Sequence, residues 1–321
     1  MEQHALALKT LGHTERLRIL ALLSRGELTV SELVQILGLS QPRVTQYIKS
    51  LEAAGIIERL KEGSWVFSRI KRGNTVISAL VSTTLATLPQ DDPLLTADLR
   101  RLEDVRAERS KASEAFFANV ANDSGTLGDE YIPKANIEAR LREMAGEGPF
   151  EFMVDLGTGT GRMLELFADR AARGSGIDNN TQMLRVARHK LGVKGQRHMT
   201  VRQGDLSATP LEAGIADLVT LHQVLHYLDD PLEAIREAAR LLTDKGCILI
   251  ADFAFHNYED FRTDYAHRRL GFEDADIQGW LEAAGLSLED TQTVKTAKGR
   301  PDVKIWRGQK HTISELKRDQ K

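Results

Sequence analysis

The stretch Phe152-Met153-Val154-Asp155-Leu156-Gly157-Thr158-Gly159-Thr160-Gly161-Arg162 reads as a buried strand running into a glycine loop and then a helix. Glycines let a backbone pass close to a ligand, and their spacing separates ligand classes. A dinucleotide fingerprint is G-x-G-x-x-G, and a nucleotide-phosphate loop is G-x-x-x-x-G-K-[ST]. Here the spacing is G-x-G-x-G and position 162 is Arg. Asp155 precedes the loop. A carboxylate there repels a pyrophosphate but suits a cationic sulfonium cofactor that carries an amino group.

Further apolar runs end in acids or polar loops. Gly174-Ser175-Gly176-Ile177-Asp178 reads as a second strand, and Asp178, followed by Asn179, can accept both hydroxyls of a ribose. Met199–Gln203 reads as a third and leads into Gly204-Asp205-Leu206, where Asp205 can accept from an adenine amino group. Residues 216–221 read as a fourth, followed by His222-Gln223-Val224-Leu225-His226-Tyr227, and residues 246–253 as a fifth. Acids and loops thus fall at the C-terminal ends of successive strands, where open α/β sheets bind ligands.

This series is similar to the class I S-adenosylmethionine (SAM)-dependent methyltransferases. The resemblance implies that Gly157, Thr158, Gly159 and Gly161 wrap the methionine part of SAM, with Asp155 supporting them. It implies that Asp178 and Asn179 hold the ribose, that Asp205 and Leu206 frame the adenine, and that His222 lies beside the cofactor. Residues 221–230 most resemble the methyltransferases of ubiquinone and menaquinone biosynthesis. Residues 115–121 resemble their entry helix, with Tyr131 near the cofactor.

Methyl transfer is an in-line displacement that needs alignment and, for some acceptors, a base. The candidate bases are His222, His226, His256 and His267. The sequence singles out none of them, and His222, His226 and Tyr227 read equally as packing residues after a strand. The Asn/Asp-Pro-Pro-aromatic motif of adenine-N6 and cytosine-N4 DNA methylation is absent, as is a Pro-Cys nucleophile. One cysteine, Cys247, cannot bind arsenic as several would, and its β-branched run marks it as core. Small-molecule O-, N- or C-methylation remains. The segment 258–269, with His267, Arg268 and Arg269, reads as a lid, an anion site or a solvated helix.

The elements that would position these residues form an α/β doubly wound domain, expected over 134–308. A different pattern precedes it. Leu6, Leu8, Leu11, Leu17, Ile19, Leu20 and Leu23 recur at helical spacing, interrupted by Gly12. Thr29-Val30-Ser31-Glu32 is a capping box. Gly38-Leu39 makes a turn, and Ser40 can cap a second helix, 41–54, with Pro42 in its first turn. Helix, glycine turn, helix is the helix-turn-helix pattern. Val44, Ile48 and Leu51 form its apolar face. Ser40, Gln41, Arg43, Thr45, Gln46 and Lys49 are suited to base edges and phosphates. Two strands, 56–60 and Trp65–Ile70, flank a turn at 61–64 and make a wing that carries Lys61. From Gln41 to Gly73 there are seven Lys/Arg and three Glu, a local +4 in a chain of net −3.

The stretch 6–70, and above all 39–57, resembles the ArsR-type winged-helix family. That resemblance implies a homodimer, paired through the first helix and residues 75–88, which binds operator DNA and releases it on ligand binding. Metal-sensing members carry cysteines where this chain has Thr29 and Ser31, so no metal is expected there.

The 321 residues are 41% hydrophobic and 28% charged, enough for two cores. The expected divisions are 1–90, winged helix and dimerisation; 91–133, helical linker and entry helix; 134–308, methyltransferase; and 309–321, a polar tail. No apolar run spans a membrane and no leader is evident, so the cytoplasm is expected. Two functions follow. In one, the chain regulates transcription and methylates a small molecule. In the other, the methyltransferase domain is catalytically silent and reports SAM or S-adenosylhomocysteine (SAH) to the DNA-binding domain, with 97–111 as the coupling element.

Overall fold

The computed structural model describes residues 1–62, 65–71, 76–89, 91–122 and 134–310. They belong to two compact units, Met1–Ala112 and Ser113–Lys321.

The first unit comprises α1 (Glu2–Leu11), α2 (Thr14–Leu23), β1 (Leu28–Thr29), α3 (Val30–Leu37), α4 (Gln41–Ala53), β2 (Ile57–Glu62), β3 (Trp65–Ile70), α5 (Val76–Ala86) and the start of α6 (Pro93–Asn122). Gly12 divides the first periodic stretch into two helices. The Thr29–Glu32 capping box forms in both directions. Gly38 turns the chain at φ +66°, a region that favours glycine. Ser40 occupies the N-cap position of α4, but its side chain makes no capping hydrogen bond. A serine cap needs the N–H of the second or third helical residue, and Pro42 removes one of those two. The short strand β1 joins the wing in the order β1-β3-β2, a pairing the sequence did not suggest.

Ile19, Leu20, Leu33, Ile36, Val44, Ile48 and Leu51 form the core of this unit. Leu102 and Val105 of α6 are buried in it too. The segment from residue 91, expected as a linker, therefore begins inside the winged-helix unit. In the segment 75–88, Val81 is buried, while Ile77, Leu80, Leu85 and Leu88 are partly covered. The wing tip at Gly63 and Ser64, and Tyr131, lie outside the described residues.

The second unit runs α7 (Lys134–Ala145), β4 (Phe150–Leu156), α8 (Arg162–Leu166), β5 (Ala171–Asp178), α9 (Thr181–Val193), β6 (Met199–Gln203), β7 (Ala216–His222), a 3₁₀ turn (Leu225–Tyr227), α10 (Pro231–Leu241), β8 (Leu242–Phe253), α11 (Asp260–Asp264), α12 (Asp274–Ala283), β9 (Leu286–Val294) and β10 (Val303–Lys310). The sheet order is β6-β5-β4-β7-β8-β10-β9. The first five strands are parallel; β10 pairs antiparallel with β8 and β9. Two apolar clusters, one around Met153, Leu164 and Leu249 and one around Val154, Val219 and Ile250, form the core of this unit. Strand order reverses between β4 and β7, and that switch point is where doubly wound sheets take ligands. Gln309 and Lys310, expected in the polar tail, are the last residues of β10, paired to Ser287 and Leu286 of β9.

Candidate functional site

The glycine loop is packed from two sides. Gly157, Gly159 and Gly161 sit at φ +78°, +50° and +83°. A Cβ on Gly157 would lie 2.4 Å from Val224 Cγ2, and one on Gly176 of β5 would lie 2.4 Å from Thr158 Oγ1. Bare backbone here lets the turn after β7 and strand β5 close onto the loop.

The acids then fall into place along the C-terminal edge. Asp178 Oδ2 accepts the Gly159 amide at 2.8 Å, and Oδ1 accepts the Asn180 amide at 2.8 Å. Burial pushes its carboxyl above the usual range, against these backbone donors. Asp155, 1% exposed, accepts the Thr220 hydroxyl at 2.6 Å. Burial raises its carboxyl to about 6, although the Thr220 and Thr158 hydroxyls pull the other way. Asp205 is exposed, and its Oδ1 accepts both the amide and the hydroxyl of Ser207, at 2.8 and 2.7 Å. Leu206 is partly buried against the core, and Asn179 is exposed, its carbonyl accepting from Gln203. Asn180, which the sequence reading passed over, caps α9 through the Gln182 and Met183 amides.

The four histidines separate into two groups. His222 ends β7, paired in register with Ala251, and burial lowers its pKa to about 4. His226, His256 and His267 lie together beyond the ends of β7 and β8. His226 stacks on His267 with ring centroids 3.9 Å apart, and Phe253 touches all three rings. Burial lowers His256 to about 4 and pushes His267 far down, so both rings are neutral. Arg268 pairs with Asp229, and the Arg268 and Arg269 amides both donate to the His226 carbonyl, at 3.0 and 3.1 Å. The segment 258–269 is a short helix, α11, with Asp260, Thr263 and Asp264 exposed, followed by a buried return at His267, Arg268 and Arg269.

Three residues here were missed from sequence. Asp252 is fully buried and receives His226 Nδ1 at 2.6 Å. Thr220 holds Asp155. Gln223 adopts φ +51°, uncommon outside glycine, where its amide donates to Ala251 at 2.7 Å. A carboxylate closing the apolar run 248–251 was the one readable signal. Cys247 is buried, as expected.

On the winged helix, Ser40, Gln41, Arg43, Gln46, Lys49 and Lys61 are exposed and Thr45 is partly exposed. Arg59 and Arg69 of the same basic stretch are engaged by Glu52 and Glu58. Among the described residues, no group of three His, Cys, Asp or Glu is placed to hold a metal, and no helix is long and apolar enough to cross a membrane.

Residues 154–250 match the family model described as "Methyltransferase domain", and residues 13–59 match "Bacterial regulatory protein, arsR family". The ubiquinone biosynthesis O-methyltransferase of Xanthomonas oryzae pv. oryzae (strain PXO99A) is 30% identical over 179 residues, which are 48% of this chain and 68% of that protein. The chain belongs to the SAM-dependent methyltransferases. It carries an ArsR-family helix-turn-helix ahead of that domain. An "Uncharacterized methyltransferase" of Geobacillus thermodenitrificans (strain NG80-2) is 29% identical over 165 residues, half of this chain and 73% of that one. The crystal structure of the Bacillus subtilis YcgJ protein shares the fold of the second unit, with TM-score 0.50 and 18% identity, over 56% of this chain and 99% of that one.

Proposed function

We propose that this chain is an operator-binding regulator whose methyltransferase unit binds SAM and transfers its methyl group to a small molecule, with SAM or SAH occupancy setting its affinity for DNA. The observation that carries the reading is the Asp178–Gly159 hydrogen bond. One carboxylate at the tip of β5 shapes the glycine loop, and there it would meet the ribose. Gly157, Thr158, Gly159 and Gly161 would wrap the methionyl group, Asp155 would meet its ammonium, Asp178 and Asn179 the ribose, and Asp205 and Leu206 the adenine. SAM, when bound, supplies an electrophilic methyl on a sulfonium. The protein's share is to hold that methyl in line with the acceptor and exclude water.

At the other end, Gln41, Arg43, Thr45, Gln46 and Lys49 of α4, with Ser40 and Lys61, would read and grip the operator. The chain would act as a homodimer through α1 and residues 75–88, where Leu6, Leu8 and Val76 are exposed. Calorimetric titration with SAH tests the base of this reading: tight binding is expected in the wild type, with a loss of a hundredfold or more in Asp178→Ala. Equal affinity in both would contradict it.

A second reading, a silent sensor, is favoured by the tight packing of His226, His256 and His267, each less than a tenth exposed. Regulation then requires only that the nucleoside bind the two DNA-binding states unequally.

A further inference from the structure

The β6 edge of the second unit's sheet is strongly basic. Between Asn179 and Gly204 the chain carries six Lys or Arg, namely Arg185, Arg188, Lys190, Lys194, Arg197 and Arg202, and no Asp or Glu. That is a local +6 in a chain of net −3, more than the +4 of the stretch from Gln41 to Gly73. β6 is the end strand of the sheet, beside β5. α9 packs on it, with Leu184, Ala187 and Leu191 in one core cluster with Met199 and Val201. The charges therefore gather along one rim. Arg185 and Arg188 lie on α9, Arg197 in the loop that follows and Arg202 on the strand, and all four are exposed. Arg188 Nη2 donates to the Val201 carbonyl at 3.4 Å, which joins helix and strand.

The fold does not use most of these charges. Among the described residues Arg185, Arg197 and Arg202 have no hydrogen-bond or ion-pair partner, and Arg188 has only the carbonyl. The neighbouring carboxylates are engaged already: Glu165 by Arg162 and Lys194, Asp169 by Arg142, and Asp205 by Ser207. Arg185 and Arg188 lie one helical turn apart, where like charges repel. An edge strand is commonly guarded by a charge. Arg202 answers that need, but the helix and loop arginines lie off the strand. Guanidinium is the group that meets a phosphate in a planar, two-pronged way. With 13 residues, α9 is about 20 Å long, the length of about six base pairs of duplex. The inner side of the same helix faces the glycine loop. Lys190 Nζ donates to Thr160 Oγ1 at 3.3 Å, and a Cβ on Gly161 would lie 3.2 Å from Ala187. Lys190 thus serves the loop, and the four arginines face outward.

On the winged-helix unit, Arg59 and Arg69 are taken up by Glu52 and Glu58. The stretch from Gln41 to Gly73 then offers Arg43, Lys49, Lys61 and Lys71 as its remaining described cations. Reading a sequence also needs a grip on phosphates, which supply the sequence-independent part of the affinity. We propose that the α9–β6 rim of the methyltransferase unit is a second DNA surface, which holds the sugar–phosphate backbone of duplex beside the operator without reading its sequence. This rests on the reading of the chain as an operator-binding regulator. Arg185, Arg188, Arg197 and Arg202 each meet a phosphate and release its counterions, so the affinity they add falls steeply with salt. The methyltransferase unit is then part of the DNA-binding machinery.

The test uses the full chain and a variant that combines Arg185→Gln, Arg188→Gln, Arg197→Gln and Arg202→Gln. Fluorescence anisotropy over a salt series measures binding to the promoter fragment upstream of the gene and to a random-sequence duplex of equal length. The expected result is binding at least tenfold weaker to both duplexes at low salt, with the slope of log affinity on log salt shallower by about 3. The pair Arg197→Gln and Arg202→Gln alone is expected to give about half that change. Replacing all four by Lys keeps the charge and is expected to keep the slope. SAH affinity within threefold of wild type and an unchanged thermal midpoint show that the variant unit is folded. Unchanged slope and affinity in the folded Gln variant overturn the proposal, as does a loss confined to the promoter fragment. Loss of binding to phosphatidylglycerol vesicles with DNA binding unchanged would give the rim to a lipid surface and overturn it too. Equal wild-type affinity for promoter and random duplex would instead overturn the operator reading, and a shallower slope of the Gln variant on random duplex would still support the second surface.

Discussion

The Asp178 carboxylate accepts the Gly159 amide at 2.8 Å while its other oxygen holds the start of α9 at Asn180. The same side chain therefore sets both the glycine loop and the start of α9. Asp178→Asn keeps one acceptor oxygen but offers an N–H to one of these two amides. It is expected to weaken SAH at least tenfold, with the thermal midpoint falling by a few degrees at most. Calorimetry and thermal unfolding on one sample separate the two effects.

Asp155 gives a pH dependence with a defined sign. Its carboxyl stands at about 6 in the fold against 3.8 for the free group, because burial disfavours the charge. The folded chain then holds this proton more tightly than the unfolded one, so the contribution of Asp155 to stability is largest below about 4. It falls as pH rises to about 6, by about 3 kcal/mol. A ligand bearing an ammonium needs the charged form, so SAH affinity is expected to rise over the same window. Asp155→Asn should flatten both profiles, measured by urea unfolding and calorimetry between pH 4 and 8.

Gly157→Ala puts a methyl 2.4 Å from Val224 Cγ2 at φ +78°. Overpacking alone costs ~1–3 kcal/mol, and the backbone conformation adds to it. The expected outcome is a lower unfolding midpoint together with loss of SAH binding. Val224→Ala in the same chain should recover part of the stability.

On the winged-helix unit, Arg18 Nε and Nη2 grip Asp98 of α6 at 2.7 Å each, and Asp98 is 1% exposed. Arg18 and Arg101 also donate to the Leu37 and Ile36 carbonyls, at 3.3 and 3.0 Å, at the last turn of α3. Asp98→Ala leaves Arg18 buried without its partner, a loss of about 3–5 kcal/mol. The expected signature is a lower unfolding midpoint and weaker operator binding, because α3 leads through Gly38 directly into α4.

Much of this was legible in the residues, for identifiable reasons. The capping box at Thr29, the glycine turn at Gly38 and the α4 face Val44, Ile48 and Leu51 are local signals, and the fold keeps them. The five parallel strands were readable from short apolar runs such as Ile248–Ala251 and, for β5 and β6, from the acids Asp178 and Asp205 at or just beyond their ends. The antiparallel pair β9–β10 was not: β9 is Leu-Ser-Leu-Glu-Asp-Thr-Gln-Thr-Val, whose polar run from Glu289 to Thr293 carries no apolar residue to mark a strand. The Ser40 cap was overestimated: Pro42 removes one of the two amides such a cap can use, and the side chain does not take the other. Asp252 was passed over because a carboxylate at the end of a core strand looks like a boundary until His226 is seen 2.6 Å away. The reach of α6 into the first unit depends on Leu102 and Val105, buried in its core, and on Asp98, whose partner Arg18 lies 80 residues earlier and leaves no local trace.

For DNA, Arg43→Ala and Lys49→Ala are each expected to cost about 1–3 kcal/mol of operator affinity, with Lys49→Ala also reducing the salt slope by about 1. Fluorescence anisotropy over a salt series measures both.

The most direct measurement is operator binding by the full chain, on the promoter upstream of its own gene, at one fixed salt concentration because affinity depends steeply on it. It is made without ligand, with SAM and with SAH. The account predicts a shift of tenfold or more with at least one nucleoside, and no shift in Asp178→Ala. Unchanged affinity under conditions where calorimetry shows the site filled would contradict it.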